Sequence, residues 1–364
     1  MRRRYFTPKF TPKYNTNKYL TIIALSDEVV IKFSSDCLYK IDNSDWVFYE
    51  AGCEVKINID SAIYFKGSLI PNGQSGIGRF TISGSCKLDG NCLSMLYFDE
   101  ADKNSQVSQF AFSHLFAGCN SIVSVSNNFL SATTLEEGCY DSMFYGCTNL
   151  TTAPELPATT LAGFCYASMF YNCTSLTTAP ELPATTLTTN CYEFMFYGCR
   201  SLTTAPELPA TTLAKYCYYY MFYDCTKLNY IKMLATDISA TNCLTHWVDG
   251  VASRGTFVKN KNATWNVTGV NGVPSGWTVV NDGEESNGNL ITFTVGGVEY
   301  QAEKGMTWEE WINSSYYDQN LNITIKTDDR LYIDGDPIFR NSLQGSLVQY
   351  TTTEIIVNGI YNSM

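Results

Sequence analysis

The chain has 364 residues, 45% of them hydrophobic and only 16% charged, so it folds and is not a disordered tail. Its formal charge of −11 works against general nucleic-acid binding, because a phosphate backbone would be repelled. No apolar run is long enough to span a bilayer.

The predicted elements, in chain order, begin with a basic arm. Residues 1–18 carry six basic side chains and no acid, and they spell FTPK twice. Aromatic, proline and lysine in alternation make an extended segment. Arg2, Arg3, Arg4, Phe6, Lys9, Phe10 and Lys13 are its candidate docking residues. The basic start lacks the apolar middle of a signal peptide, so Sec-type export is not expected. Residues 19–107 read as an all-β, sandwich-like domain. The runs EVVIKF, WVFYEA, EVKINI, AIYFKG and GRFTISG are separated by Asp, Asn, Ser and Gly turns.

Residues 108–251 are a repeat. LTTAPELPATTL stands at 150–161, again at 176–187 and again at 202–213, an interval of 26. Diverged copies lead in and out, as the closing units of a solenoid must. Within a unit, LTTA reads as a brief strand that Pro154 stops. Leu161, Cys165, Met169 and Cys173 stand four apart, which predicts one face of a short helix. A single unit cannot offset its own ordering entropy, so the units must share a core. Residues 252–287 read as strands covering the open end, followed by the polar linker NDGEESNGN. Residues 288–364 read as a small α+β module, with a hairpin turning at Gly296 and Gly297 and a short helix in TWEEWINSS. The expected fold class is therefore mainly β with short helices: a solenoid flanked by an all-β domain and a small α+β domain.

Fourteen cysteines and two histidines bound the chemistry. Equivalent cysteines such as Cys165, Cys191 and Cys217 should sit roughly 5 Å apart in a stack. Without an export signal they read as buried reduced thiols. No paired CxxC supports a zinc site, and no catalytic constellation stands out. The chain is thus expected to be no enzyme, with no metal or cofactor. The column Glu155, Glu181 and Glu207 reads as a solvated face, and the paired threonines as packing ladders. The copies differ after ATTL and between CY and MF. Those sites flank the core stripe, so Phe164, Phe194, Lys215, Tyr216, Tyr219 and Tyr220 are candidate contact residues on a varying surface.

The units resemble the BspA-like leucine-rich repeats of bacterial surface antigens. The matching residues are the Leu150, Leu156 and Leu161 framework and the MFYNC that ends at Cys173. The units are a few residues longer than that family's common form, and Met stands for Ala before Phe. The whole arrangement is similar to virion proteins of tailed phages, notably the crAss-like phages of gut Bacteroidales. WVDGVASRGTFVKN (247–260), GVPSGWTVVN (272–281) and GMTWEEWINSSY (305–316) carry that similarity. The resemblance implies a fibre, tail or capsid-decorating protein in the virion, made in the host cytoplasm and released by lysis. Its N-terminal arm and β domain would contact other virion proteins. Its repeat surface would meet a host glycan or surface protein, with no nucleic acid and no membrane insertion. Homo-oligomerisation stays open. The alternative is a bacterial cell-surface adhesin of the BspA-like type.

Overall fold

The computed structural model describes residues 18–67, 79–264 and 267–283 with their side chains, and beyond these the backbone of five strands. It divides into two compact units, Met1–Asp282 and Gly283–Met364. The described residues are mainly β. Helix there is confined to Ser94–Tyr97 and two 3-10 turns, Phe98–Lys103 and Asn127–Phe129.

The first unit opens with eight short strands: β1 (Leu20–Ala24), β2 (Val29–Phe33), β3 (Cys37–Ile41), β4 (Val47–Tyr49), β5 (Val55–Ile57), β6 (Ala62–Lys66), β7 (Phe80–Ser83) and β8 (Cys86–Asp89). In β2 the side chains of Val29, Ile31 and Phe33 are buried while Lys32 is exposed, the two-residue alternation of a half-covered strand. β5, β2 and β7 form one antiparallel sheet. The other runs β8-β1-β6-β3-β4, all antiparallel neighbours. After β9 (Gln106–Val107), β10 (Ile122–Val125) joins β8 in parallel. β10 belongs to the first coil of the repeat, so the six-stranded sheet crosses from the N-terminal strands into the solenoid. β11 (Thr134–Leu135) pairs β9 in the same parallel sense.

Each repeat unit makes one coil of the stack. Its strand is reduced to single parallel bridges, Ser124 to Thr152 to Thr178 and Thr204 to Tyr230. The proline two residues on has no N–H to extend them. The segment predicted as a helix is not one. Along 162–173 the odd N–H groups close turns onto the carbonyl three residues back, as in Ala167 to Phe164 and Tyr171 to Ser168. The even N–H groups leave the coil and donate to the next, as in Tyr166 to Cys191, Ser168 to Glu193 and Phe170 to Met195. Every fourth residue has positive φ: Phe164, Ser168 and Asn172 in one coil, Asn190, Phe194 and Gly198 in the next, Tyr216, Tyr220 and Asp224 in the one after. The coils starting at Phe110, Gly138 and Asn242 repeat the pattern. An α-helix keeps φ negative, advances 3.6 residues per turn and spends its N–H groups on itself. Here the spacing of Cys165, Met169 and Cys173 is that of two overlapping turns per four residues. Half of the donors bind the stack together.

Stacking the coils aligns like with like. Phe116, Phe144, Phe170, Phe196 and Phe222 form a buried column with ring centroids 5.7–5.8 Å apart and planes within 10° of parallel. The column continues into the N-terminal sheets, Phe116 onto Phe80 at 5.0 Å and Phe80 onto Phe33 at 4.3 Å. Tyr140, Tyr166, Tyr192 and Tyr218 form a second buried column. Cys147, Cys173, Cys199 and Cys225 donate their thiols to the carbonyls of Phe116, Phe144, Phe170 and Phe196 in the preceding coil, at 3.0–3.2 Å. All fourteen cysteines are free, and only Cys53 is exposed.

At the far end, β12 (Tyr230–Met233), β13 (Thr256–Lys259) and β14 (Thr278–Asn281) pair in parallel and in register. The segment expected to cover the open end thus extends the stack. Trp247 takes the place of the core aromatics and donates its indole N–H to Gly272, while Trp277 donates to Ala252. In the second unit, β15 (Leu290–Val295) pairs antiparallel with β16 (Val298–Glu303) and with β19 (Ile355–Val357). β17 (Tyr332–Ile333) pairs with β18 (Asp336–Pro337). The turn at Gly296 and Gly297 and the helix expected in TWEEWINSS lie outside the described residues.

Candidate recognition surface on the turn face

The left-handed positions are where the units vary. A side chain other than glycine pays for this conformation through the clash of its Cβ with the backbone, roughly 1–2 kcal/mol per residue. Glycine and asparagine fit it best. Some coils obey that preference, with Gly138, Asn172, Asn190, Gly198 and Gly250 in these slots. Others put a ring there: Phe164 at φ 56°, Phe194 at 52°, Tyr216 at 55° and Tyr220 at 53°. Bulky residues at positive φ are outliers that the surrounding structure must hold. Here the paired turns and the inter-coil hydrogen bonds hold them.

Four of the six predicted contact residues meet. Phe194 stacks on Tyr220 with centroids 5.3 Å apart and meets Tyr219 edge-on at 5.4 Å. Tyr219 touches both Tyr220 at 4.6 Å and Tyr216 at 5.3 Å. Lys215 is exposed, with its ammonium 5.4 Å from the centre of the Tyr216 ring. Phe164 is 39% exposed and is not joined to the cluster by a ring contact. Sequence reasoning missed the neighbouring column. Tyr145, Tyr171, Tyr197 and Tyr223 stack at 4.4–4.7 Å along the same face, partly exposed. These are the invariant third letters of MFY, and invariance reads as core. His246 extends the cluster by stacking on Tyr220 at 4.9 Å.

The polar groups of this face are tied to the rings. Asn190 donates its amide to Glu193, and Asn242 donates to the Tyr216 hydroxyl at 2.9 Å. Partial burial raises the Glu193 carboxyl above its ordinary value, against the lowering effect of the Asn190 bond. Burial also pushes the Tyr171 hydroxyl up to about 12, helped by the neighbouring Tyr197. Arg200 pairs with Asp224 one coil on, and His246 with Asp249 at 3.1 Å.

One serine, one histidine and one aspartate do come together. Ser113 Oγ lies 2.8 Å from His114 Nδ1 and 3.5 Å from Asp141 Oδ2. The serine is the shared member, whereas a nucleophilic triad needs the histidine between the other two. Ser113 is also only 2% exposed. Among the described residues no group of three or more His, Cys, Asp or Glu is placed to hold a metal. Among them, too, no helix is long and apolar enough to cross a membrane. The docking residues Arg2, Arg3, Arg4, Phe6, Lys9, Phe10 and Lys13 lie outside the described residues.

Comparison with protein-family models, curated proteins and solved structures returns no match. The turn face therefore stands on its own geometry: a repeated hydrogen-bonded frame whose variable slots carry partly exposed rings, Phe164 the most exposed of them.

Proposed function

We propose that the chain is a non-enzymatic virion protein of a tailed phage, a fibre, tail or capsid-decorating component. Its N-terminal arm and β domain dock on the particle, and the turn face of its BspA-like leucine-rich repeats recognises the host surface. One observation carries this reading. Aromatic side chains occupy strained left-handed slots on a frame that would be more stable with glycine or asparagine in them. Strain that persists at a partly exposed, variable position points to function, and Tyr, Ser, Gly and Asn are the residues that recognition loops favour. The resemblance of the units and flanks to BspA-like and crAss-like phage proteins supports the same reading by analogy.

The test is fractionation. Particles purified from a lysed culture, cell envelopes and medium are probed by mass spectrometry for LAKYCYYYMFYDCTK. Recovery with capsid protein at fixed stoichiometry is the expected result, and removal of residues 1–18 should then release the protein from the particle. Recovery in envelopes of uninfected cells would overturn the virion reading in favour of the BspA-like surface adhesin.

A further inference from the structure

The middle left-handed slots line up as His114, Ser142, Ser168, Phe194, Tyr220 and His246, one per coil. Three of them form a ring stack: Phe194 on Tyr220 at 5.3 Å and 28°, Tyr220 on His246 at 4.9 Å and 26°. The stack stops at Phe194, because the next slot holds Ser168. On that side the Phe194 ring has a serine as its counterpart, while Tyr171 and Tyr197 stand beside it, tilted by 58° and 56°. The result is a step: an aromatic ring above a small polar residue, flanked by Tyr171 and Tyr197 and, in the coil of Ser168, by the exposed Phe164.

We propose that this step seats a neutral glycan, one sugar ring lying on the partly exposed Phe194 ring where it looks toward Ser168, in continuation of the stack; the proposal rests on the recognition reading above. A pyranose has an apolar C–H face for an aromatic ring and a rim of hydroxyls for polar neighbours, and the step supplies both. Glu193, next to Phe194 in the chain, and the net charge of −11 favour a neutral ligand over acidic sugars and phosphates, with the Lys215 ammonium at the far end of the cluster against Tyr216. A protein partner fits less well. Among the large hydrophobic residues of the stacked repeat coils only Tyr145 and Phe164 are exposed, both at 39%. That is far from the apolar centre of an interface of about 800 Å² per partner. One ring face is enough for one sugar.

The experiment titrates the full chain with short neutral oligomers of glucose, mannose, galactose and N-acetylglucosamine by calorimetry, alongside attachment of the labelled protein to host cells. Two variants read out the step. Phe194→Asn removes the ring but keeps a residue suited to the slot, as Asn190 is in its own. Ser168→Tyr covers the Phe194 face with another ring, in a slot type that already holds Tyr220. We expect one oligomer class to bind, and each variant to weaken it about tenfold or more, the loss of one stacked ring. Phe194→Asn should leave the melting temperature unchanged or raised. Binding by no neutral oligomer, or binding that both variants leave intact, overturns the proposal. If wild type and both variants attach to cells equally, the step is refuted and the recognition reading survives; if wild type attaches to no host cell, the recognition reading itself falls.

Discussion

Tyr166 and Tyr192 sit in the core with hydroxyls that find no hydrogen-bond partner among the described residues. A buried hydroxyl left unpaired costs about 1–3 kcal/mol, and removing it leaves the ring's packing untouched. Tyr166→Phe should therefore be neutral or stabilising by about 1 kcal/mol, measured as a shift in denaturation midpoint. The thiols carry a second consequence. Burial raises Cys191 from its ordinary 9.0 to about 12 and Cys119 to about 11. A group whose pKa is raised by folding lends its stability below the unfolded value and loses it above. The melting temperature should thus hold up to about pH 9 and fall as the pH rises from there toward the folded values. At neutral pH, a thiol reagent should label Cys53 alone on the native protein and all fourteen cysteines in denaturant. Fast labelling of the columnar thiols would mean that the coils open.

At the scale of the element, the coil shows what a sequence discloses and what it hides. The period of 26, the bridge before Pro154, the buried Leu150, Leu156 and Leu161 and the burial of the stacked thiols were all legible, because burial and proline chemistry leave plain marks. The turns were not. A helix face and a train of paired turns both set apolar side chains four apart, as Cys165, Met169 and Cys173 are. The usual mark of left-handed backbone is glycine, and Phe, Tyr and Ser stand in its place. The Tyr145 column was hidden for a different reason: a residue that never changes looks structural, yet these rings are partly exposed. The strength of a coil lies in the ring that each neighbour shares. Phe170 is fully buried between Phe144 and Phe196, so Phe170→Ala should cost about 3–5 kcal/mol, read by chemical denaturation. A cost below about 1 kcal/mol would show that the column collapses around the gap.

For the first compact unit as a whole, the aromatic column runs without a break from Phe33 in β2 to Trp247 and on to Phe257 in β13. Each coil touches only its neighbours along that line. Deleting residues 176–201 removes one interval of 26 and joins Ser175 to Leu202, which restores the local sequence. The shortened protein should fold and melt cooperatively at a modestly changed temperature. Deleting 25 residues instead exchanges the N–H groups that close turns with those that reach the next coil. That variant should be insoluble or should melt without a cooperative transition. Equal behaviour of the two deletions would contradict the alternation of hydrogen bonds.

That alternation also gives the stack a direction. Every outward N–H on the turn face points toward the later coil, so one end is left with acceptors and the other with donors. β7 meets the first, where Phe80 donates to the Leu115 carbonyl, and Asn271 meets the last with its side-chain oxygen 2.6 Å from the His246 nitrogen. Two ends so unlike cannot pair face to face across a twofold axis. Bare, they would join only head to tail and grow into an open filament. The closures at Phe80 and Asn271 are terminators as much as they are parts of the fold: they occupy hydrogen-bonding groups that a further coil would otherwise take.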